Sequence, residues 1–185
     1  MKKVLFVFCI FLFIVSNSAA QSANNFALSG TYFKANDADL NFYGGKVGYV
    51  SKTSANVFWG LFLEFQGAEE KYTEITYQNS YVGMITRTNE KTSAVTLLKL
   101  GVEANIFPGD SKNFFVGFEA FYISGKSKDA TDDGYGLAPK AGIILGDKSV
   151  NFIFAFKYDI LKFSENENDP ATKGIGLEAG VLIPF

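Results

Sequence analysis

Whatever chemistry this sequence can do falls to nine ionisable side chains: Lys46, Glu64, Lys99, Glu103, Glu119, Lys140, Lys157, Asp159 and Glu178. Each stands in a run of alternating residues, in phase with glycines and small polar groups. Four ammonium groups and five carboxylates on one face can form a network of ion pairs and hydrogen bonds, or line a water-filled path of mixed charge. They are poorly equipped for acid–base catalysis. The sequence contains no histidine, the usual general base near neutral pH. No serine stands beside a carboxylate in a recognised nucleophile spacing. An enzyme is not expected.

Metal and phosphate chemistry fare no better. The segment Asp129-Ala130-Thr131-Asp132-Asp133-Gly134 opens like a calcium loop, with Gly at the sixth place. Its third place is Thr131, however, and its twelfth is Lys140, where a bidentate Glu is needed. It reads as a solvated acidic loop, and Ser164–Asp169 reads the same way. Gly44-Gly45 is followed by no helix, so it is no phosphate loop. No cofactor or metal site is expected. With 17 basic and 19 acidic residues the chain is slightly acidic, so no nucleic-acid partner is expected either.

The elements that must position the nine charges are strands. Phe is abundant at 20 residues, Pro is scarce at 4, and aromatic and β-branched residues favour extended backbone. Alternating runs bounded by Gly, Asn, Asp, Ser and Lys predict strands over 25–34, 40–51, 55–67, 93–107, 113–125, 135–146, 149–162 and 174–185. An even number of strands suits an antiparallel barrel with both chain ends on one side. The connections alternate in length. Lys52–Ser54, Pro108–Lys112 and Asp147–Lys148 are tight, whereas Ala35–Asp39, Ala68–Thr92, Lys126–Gly134 and Phe163–Lys173 are longer.

The two faces differ sharply. Leu98, Leu100, Val102, Ala104 and Ile106 alternate with Lys99, Gly101, Glu103 and Asn105. Phe152, Phe154, Phe156, Tyr158 and Ile160 alternate with Asn151, Ala155, Lys157 and Asp159. Period-two alternation means a sheet between two environments. A soluble barrel would turn the apolar set inward. The interior of eight strands has room only for its own side chains or one small ligand, too little for four or five bulky groups from every strand. The apolar set therefore faces lipid, and the set with glycines and charges faces a narrow lumen. Lys34 and Lys162 are the charges in the assigned lipid phase. Each lies at the loop end of its strand, where a lysine can snorkel to the interface.

The first twenty residues predict export. Lys2 and Lys3 precede an apolar run from Val4 to Val15, and Ser18 and Ala20 supply small side chains before a cleavage point at Gln21. The run falls short of the roughly 20 residues a spanning helix needs. Residues 1–20 are thus expected to be a cleaved signal peptide, and 21–185 one barrel domain. Cys9, the only cysteine, leaves with the signal.

At the other end Leu177, Ala179, Val181, Ile183 and Phe185 share one face and finish on an aromatic carboxy-terminal residue. This resembles the terminal signal by which outer-membrane barrels are recognised for assembly. Together with the strand count and the apolar face, the mature chain resembles the small eight-stranded bacterial outer-membrane β-barrels of the OmpX and OmpA membrane-domain kind. The resemblance implies an all-β, up-and-down antiparallel transmembrane barrel in the outer membrane of a Gram-negative-type bacterium. Its implied partners are outer-membrane lipid and, through the last strand, the barrel assembly machinery. A monomer with a closed, charged lumen is expected, serving surface interaction, adhesion or envelope integrity. The alternative is a small porin-like channel for passive solutes. Within 68–92, Lys71–Tyr77 and Tyr81–Arg87 are strand-like. The segment is either a protruding hairpin open to a protein or surface ligand or a mobile surface loop.

Overall fold

The computed structural model describes residues 24–36, 40–54, 56–80, 83–108, 113–127, 130–146, 150–164 and 171–185, and of 75–80 and 83–87 the backbone alone. The expected signal segment, residues 1–20, lies outside the described residues. Eight strands follow one another: β1 (Asn24–Ala35), β2 (Leu40–Lys52), β3 (Val57–Ser80), β4 (Gly83–Ile106), β5 (Phe114–Lys126), β6 (Thr131–Gly146), β7 (Asn151–Phe163) and β8 (Thr172–Pro184). Each pairs antiparallel with its sequence neighbours, and β8 returns to β1, so the sheet is a closed barrel. Closure satisfies every backbone ladder and removes the sheet edge that a lipid-embedded open sheet would leave unpaired.

The expected alternation fixes which side chains point where. Phe26, Leu28, Leu63, Phe65, Leu98, Leu100, Val116, Phe118, Phe154, Phe156, Leu177 and Ile183 are all exposed on the outer surface. Their neighbours one residue along are buried inside. A water-washed barrel would lose heavily by exposing so continuous an apolar band, whereas lipid is its matching solvent.

Two expectations change in detail. The connection expected over 68–92 is mostly strand: β3 and β4 are 24 residues each, against 12 to 16 for the others. They stay in register past the barrel wall, from Ala68↔Val95 to Ser80↔Gly83. β6 also starts earlier than expected, at Thr131, because Lys126↔Thr131 and Gly125↔Asp132 continue the β5–β6 ladder. Polar Asp132 and Asp133 read as a loop by composition, yet a paired neighbour holds them extended. The acidic segment 129–134 therefore lies partly within β6, while Asp129 and residues 165–169 fall outside the described residues.

Candidate functional site

The barrel interior is built in three layers. All nine of the alternating charged residues point inward and are buried, none more than 5% exposed. Lys46 of β2 donates to Glu119 at 2.6 Å, to Glu103 at 2.9 Å and to Glu178 at 3.2 Å. Lys140 of β6 donates to Glu103 and, at 3.1 Å, to Glu119. Lys157 of β7 reaches Glu64 at 3.1 Å and Glu119 at 3.4 Å. Lys99 of β4 donates to Asp159 at 3.1 Å and lies 3.8 Å from Glu64. The geometry joins the nine into one continuous array, with Glu119 shared by three lysines and Glu64 by two.

Neutral partners complete it. Ser29 donates to Glu178 at 2.8 Å, and the Gln66 amide donates to Glu64 at 2.8 Å and to Thr31 at 3.2 Å. The ammonium of Lys46 also lies 4.4 Å from the Phe62 ring centre, and that of Lys99 lies 5.1 Å from both Phe33 and Phe121. Removing charges from water costs several kcal/mol per ion and is offset only by close, multiple partners. This array supplies them by reaching across the barrel rather than along one strand pair.

Above and below the charged layer sit two apolar plugs, which sequence reading missed. Towards the hairpin end, Phe33, Phe42, Leu97 and Leu161 pack together with other buried apolar residues, while Phe62 and Phe121 of the same cluster reach down among the charges. Towards the end holding the chain termini, Val50, Phe107, Phe115, Ile153 and Leu182 do the same. The plugs are inner-phase residues hidden among glycines and charges. One signal could have found them: several of the inward phenylalanines have glycine as a cross-strand neighbour. Phe62 pairs with Gly48 and Gly101, Phe121 with Gly101 and Gly136, and Phe115 with Gly142. A Cβ at Gly136 would come within 2.4 Å of the Phe121 ring, and one at Gly142 within 2.6 Å of the Phe115 ring. The glycines are the space the rings occupy.

At the hairpin end the upper plug is the floor of a cavity of about 190 Å³, lined by Phe33, Phe42, Leu97 and Leu161 with Lys126 and Asp132 among its wall residues. Among the described residues, no group of three His, Cys, Asp or Glu side chains could hold a metal ion.

The terminal strand runs Thr172–Pro184 and closes against β1, with Ile183 opposite Phe26 and Leu177 opposite Tyr32. Leu177, Ile183 and Phe185 are exposed on the outer surface. The Phe185 amide donates to the Asn24 carbonyl at 3.1 Å, and its ring lies 6.2 Å from that of Tyr49.

The long hairpin is the other distinctive feature. β2 pairs with β3 only as far as Tyr43↔Gly67, and β5 with β4 only as far as Thr96↔Lys126. Beyond these pairs the two strands continue with each other for about 40 Å at ~3.3 Å per residue, and among the described residues no other strand pairs with either outer edge. Lys91 and Glu74 form an ion pair across it.

An apolar exterior around a packed polar interior, closed by eight antiparallel strands, defines the class: this is a small transmembrane β-barrel. Comparison with solved structures gives the same fold. The chain is similar to Neisserial surface protein A (NspA), at 11% identity and TM-score 0.61 over 89% of this chain and 97% of that one. It is also similar to the N-terminal β-barrel domain of Pseudomonas aeruginosa OprF, at 14% identity and TM-score 0.51 over 88% of this chain and 100% of that one. No protein-family model and no curated protein matches the sequence.

Proposed function

We propose that the protein is a closed, non-enzymatic barrel of a bacterial outer membrane that presents the β3–β4 hairpin outside the cell for surface interaction. The carrying observation is that hairpin, a two-stranded ribbon continuing past the barrel with neither edge paired to another strand among the described residues. A ribbon of two strands is marginal by itself and gains by adding a third. Its edges offer backbone donors and acceptors to an extended segment of a partner. The barrel beneath holds it rigidly at its base. The tight connections lie on the opposite side, with the chain termini, which is the periplasmic side in outer-membrane barrels.

A pore is the competing reading, and the interior speaks against it. Two apolar plugs and an ion-paired layer fill the lumen in series, so a solute would have to displace all three. Catalysis is disfavoured because the buried carboxylates are engaged by lysines and the sequence has no histidine. Residues 1–20 would serve as the export signal, and Leu177–Phe185 as the segment read by the assembly machinery.

The test pairs two measurements. Purified protein in planar bilayers should give no steady openings. A variant in which Gly67 is joined to Thr96 through Asn-Gly should keep the stability of the barrel but lose attachment of protein-displaying cells to a mammalian cell monolayer. Steady openings by the full chain, or attachment unchanged by removal of the hairpin, would overturn the reading.

A further inference from the structure

We propose that the mouth of the barrel binds a small zwitterion with an apolar body, of the class of apolar α-amino acids, between Lys126, Asp132 and the upper plug. The cavity there measures about 190 Å³ and rests on Phe33, Phe42, Leu97 and Leu161, with Lys126 and Asp132 as its charged wall residues. A cavity of about 150 Å³ walled by Leu, Ile and Phe stays dry and takes up benzene. The floor of this one therefore has the size and the chemistry for one phenyl or branched alkyl group. The buried side chains of the plug close it from below, so a ligand enters and leaves at the hairpin end.

The wall supplies a site for a head group of both signs. Asp132 lies in the inward phase of β6, in line with buried Gly134, Gly136 and Ala138. Opposite it on β5 stands Gly125, so no side chain fills the space before the carboxylate. A Cβ at Gly125 would already approach the Phe163 ring at 3.2 Å and Leu97 at 3.4 Å. The Oδ1 of Asp132 is closed to solvent and accepts no hydrogen bond among the described residues. A carboxylate with one oxygen cut off from water and from donors is under-compensated, and gains more from an ammonium group than a fully hydrated one does. Lys126, the next residue of β5, pairs with Thr131 and is exposed, yet it lines the cavity, so its stem crosses the rim. Among the described residues neither charge takes part in an ion pair. The two are diagonal neighbours on one ladder, within reach of the two ends of one amino-acid backbone. Its ammonium would meet Asp132, its carboxylate Lys126, and its side chain the floor.

A ligand of a single sign fits less well. Lys126 repels an amine. The connections at this end carry Asp37, Asp39, Glu165, Glu167 and Asp169, which repel a bare anion. A molecule of no net charge escapes both penalties and still satisfies both wall residues.

The site lies inside the mouth and does not depend on the hairpin's having a partner. The test uses the folded full chain in lipid nanodiscs, with radiolabelled L-phenylalanine as probe in equilibrium dialysis and empty nanodiscs as the blank. Wild type should bind the probe saturably, and unlabelled L-leucine should displace it. Glycine, which lacks the apolar body, should compete about tenfold less well. Phenethylamine and 3-phenylpropanoate, which lack one charge each, should also compete about tenfold less well. D132N should erase the preference for L-phenylalanine over 3-phenylpropanoate and keep that over phenethylamine, and K126Q should do the reverse. A general loss of packing cannot produce that exchange of preferences. No saturable binding above the blank, or equal competition by the amine or by the acid, would overturn the proposal on wild type alone, without any variant having to fold. So would unchanged preferences in the two variants.

Discussion

Lys157 of β7 and Glu64 of β3 meet at 3.1 Å although their strands stand on opposite walls of the barrel, four places apart in a ring of eight. Two side chains that touch across the diameter leave no free axis between them. The contact ties the wall formed by β2–β4 to that formed by β6–β8 without any shared backbone hydrogen bond. It also makes each partner's charge dependent on the other, because neither is exposed to water.

Removing one member should therefore cost heavily. Lys157→Ala leaves Glu64 with Lys99 at 3.8 Å as its one remaining lysine and Glu119 with two of its three, and breaking a buried pair typically costs about 3–5 kcal/mol. Glu119→Ala should cost at least as much, since Lys46, Lys140 and Lys157 all converge on it. Urea unfolding in lipid vesicles measures both. Midpoints equal to that of wild type would mean the interior is hydrated and the charges screened.

Neither variant should conduct. Losing one ion pair leaves the Phe33–Phe42–Leu97 plug above the layer and the Phe107–Phe115 plug below it. Bilayer recordings of Lys157→Ala and Glu119→Ala should stay silent while their stability falls. Unchanged stability with new, ion-selective openings would reverse the assignment from scaffold to channel.

The orientation of the faces predicts opposite penalties for the same residue. Lysine at Phe154 or Leu100, both exposed on the outer surface, should cost about 2–4 kcal/mol near the bilayer midplane. At Gly117 even a methyl group would come within 2.3 Å of the Ala104 carbonyl and of the Asn105 side chain, so lysine there should block folding by crowding. Spin labels report the outward phase directly: a lipid-phase quencher should reach a label at position 154, and a label left unquenched there would reverse the orientation.

Phe185→Ser should reduce outer-membrane levels more than a serine at Pro184. Phe185 ends the outward-facing series of β8 and stands against Tyr49, whereas Pro184 is in the other phase. Fractionation of cells expressing each variant decides it, and equal levels would remove the last residue from the assembly signal.

Much of this was legible in the sequence because period-two alternation is local. A strand sends successive side chains to opposite faces, so Phe152 to Ile160 against Asn151 to Asp159 already declares two environments, and the interior volume says which one is lipid. The strands and the phase of the nine charges come from that rule, whereas the closed antiparallel barrel also needed the even strand count and the resemblance to small outer-membrane barrels. Two further features needed the tertiary structure, because they depend on register between strands. That Lys46 gathers Glu103, Glu119 and Glu178, while Lys157 crosses to Glu64, follows from the stagger on closing the ring. No spacing along the chain encodes it. The long β3–β4 ribbon was ambiguous for a related reason. Polar residues from Glu69 to Thr92 read equally as loop or strand until Ala68↔Val95 and its successors supply partners, and a ladder of backbone hydrogen bonds overrides composition. The plugs lay in between: inward phenylalanines and their facing glycines are visible singly, but only the register sets Phe121 beside Gly101 and Gly136 and turns scattered residues into a seal.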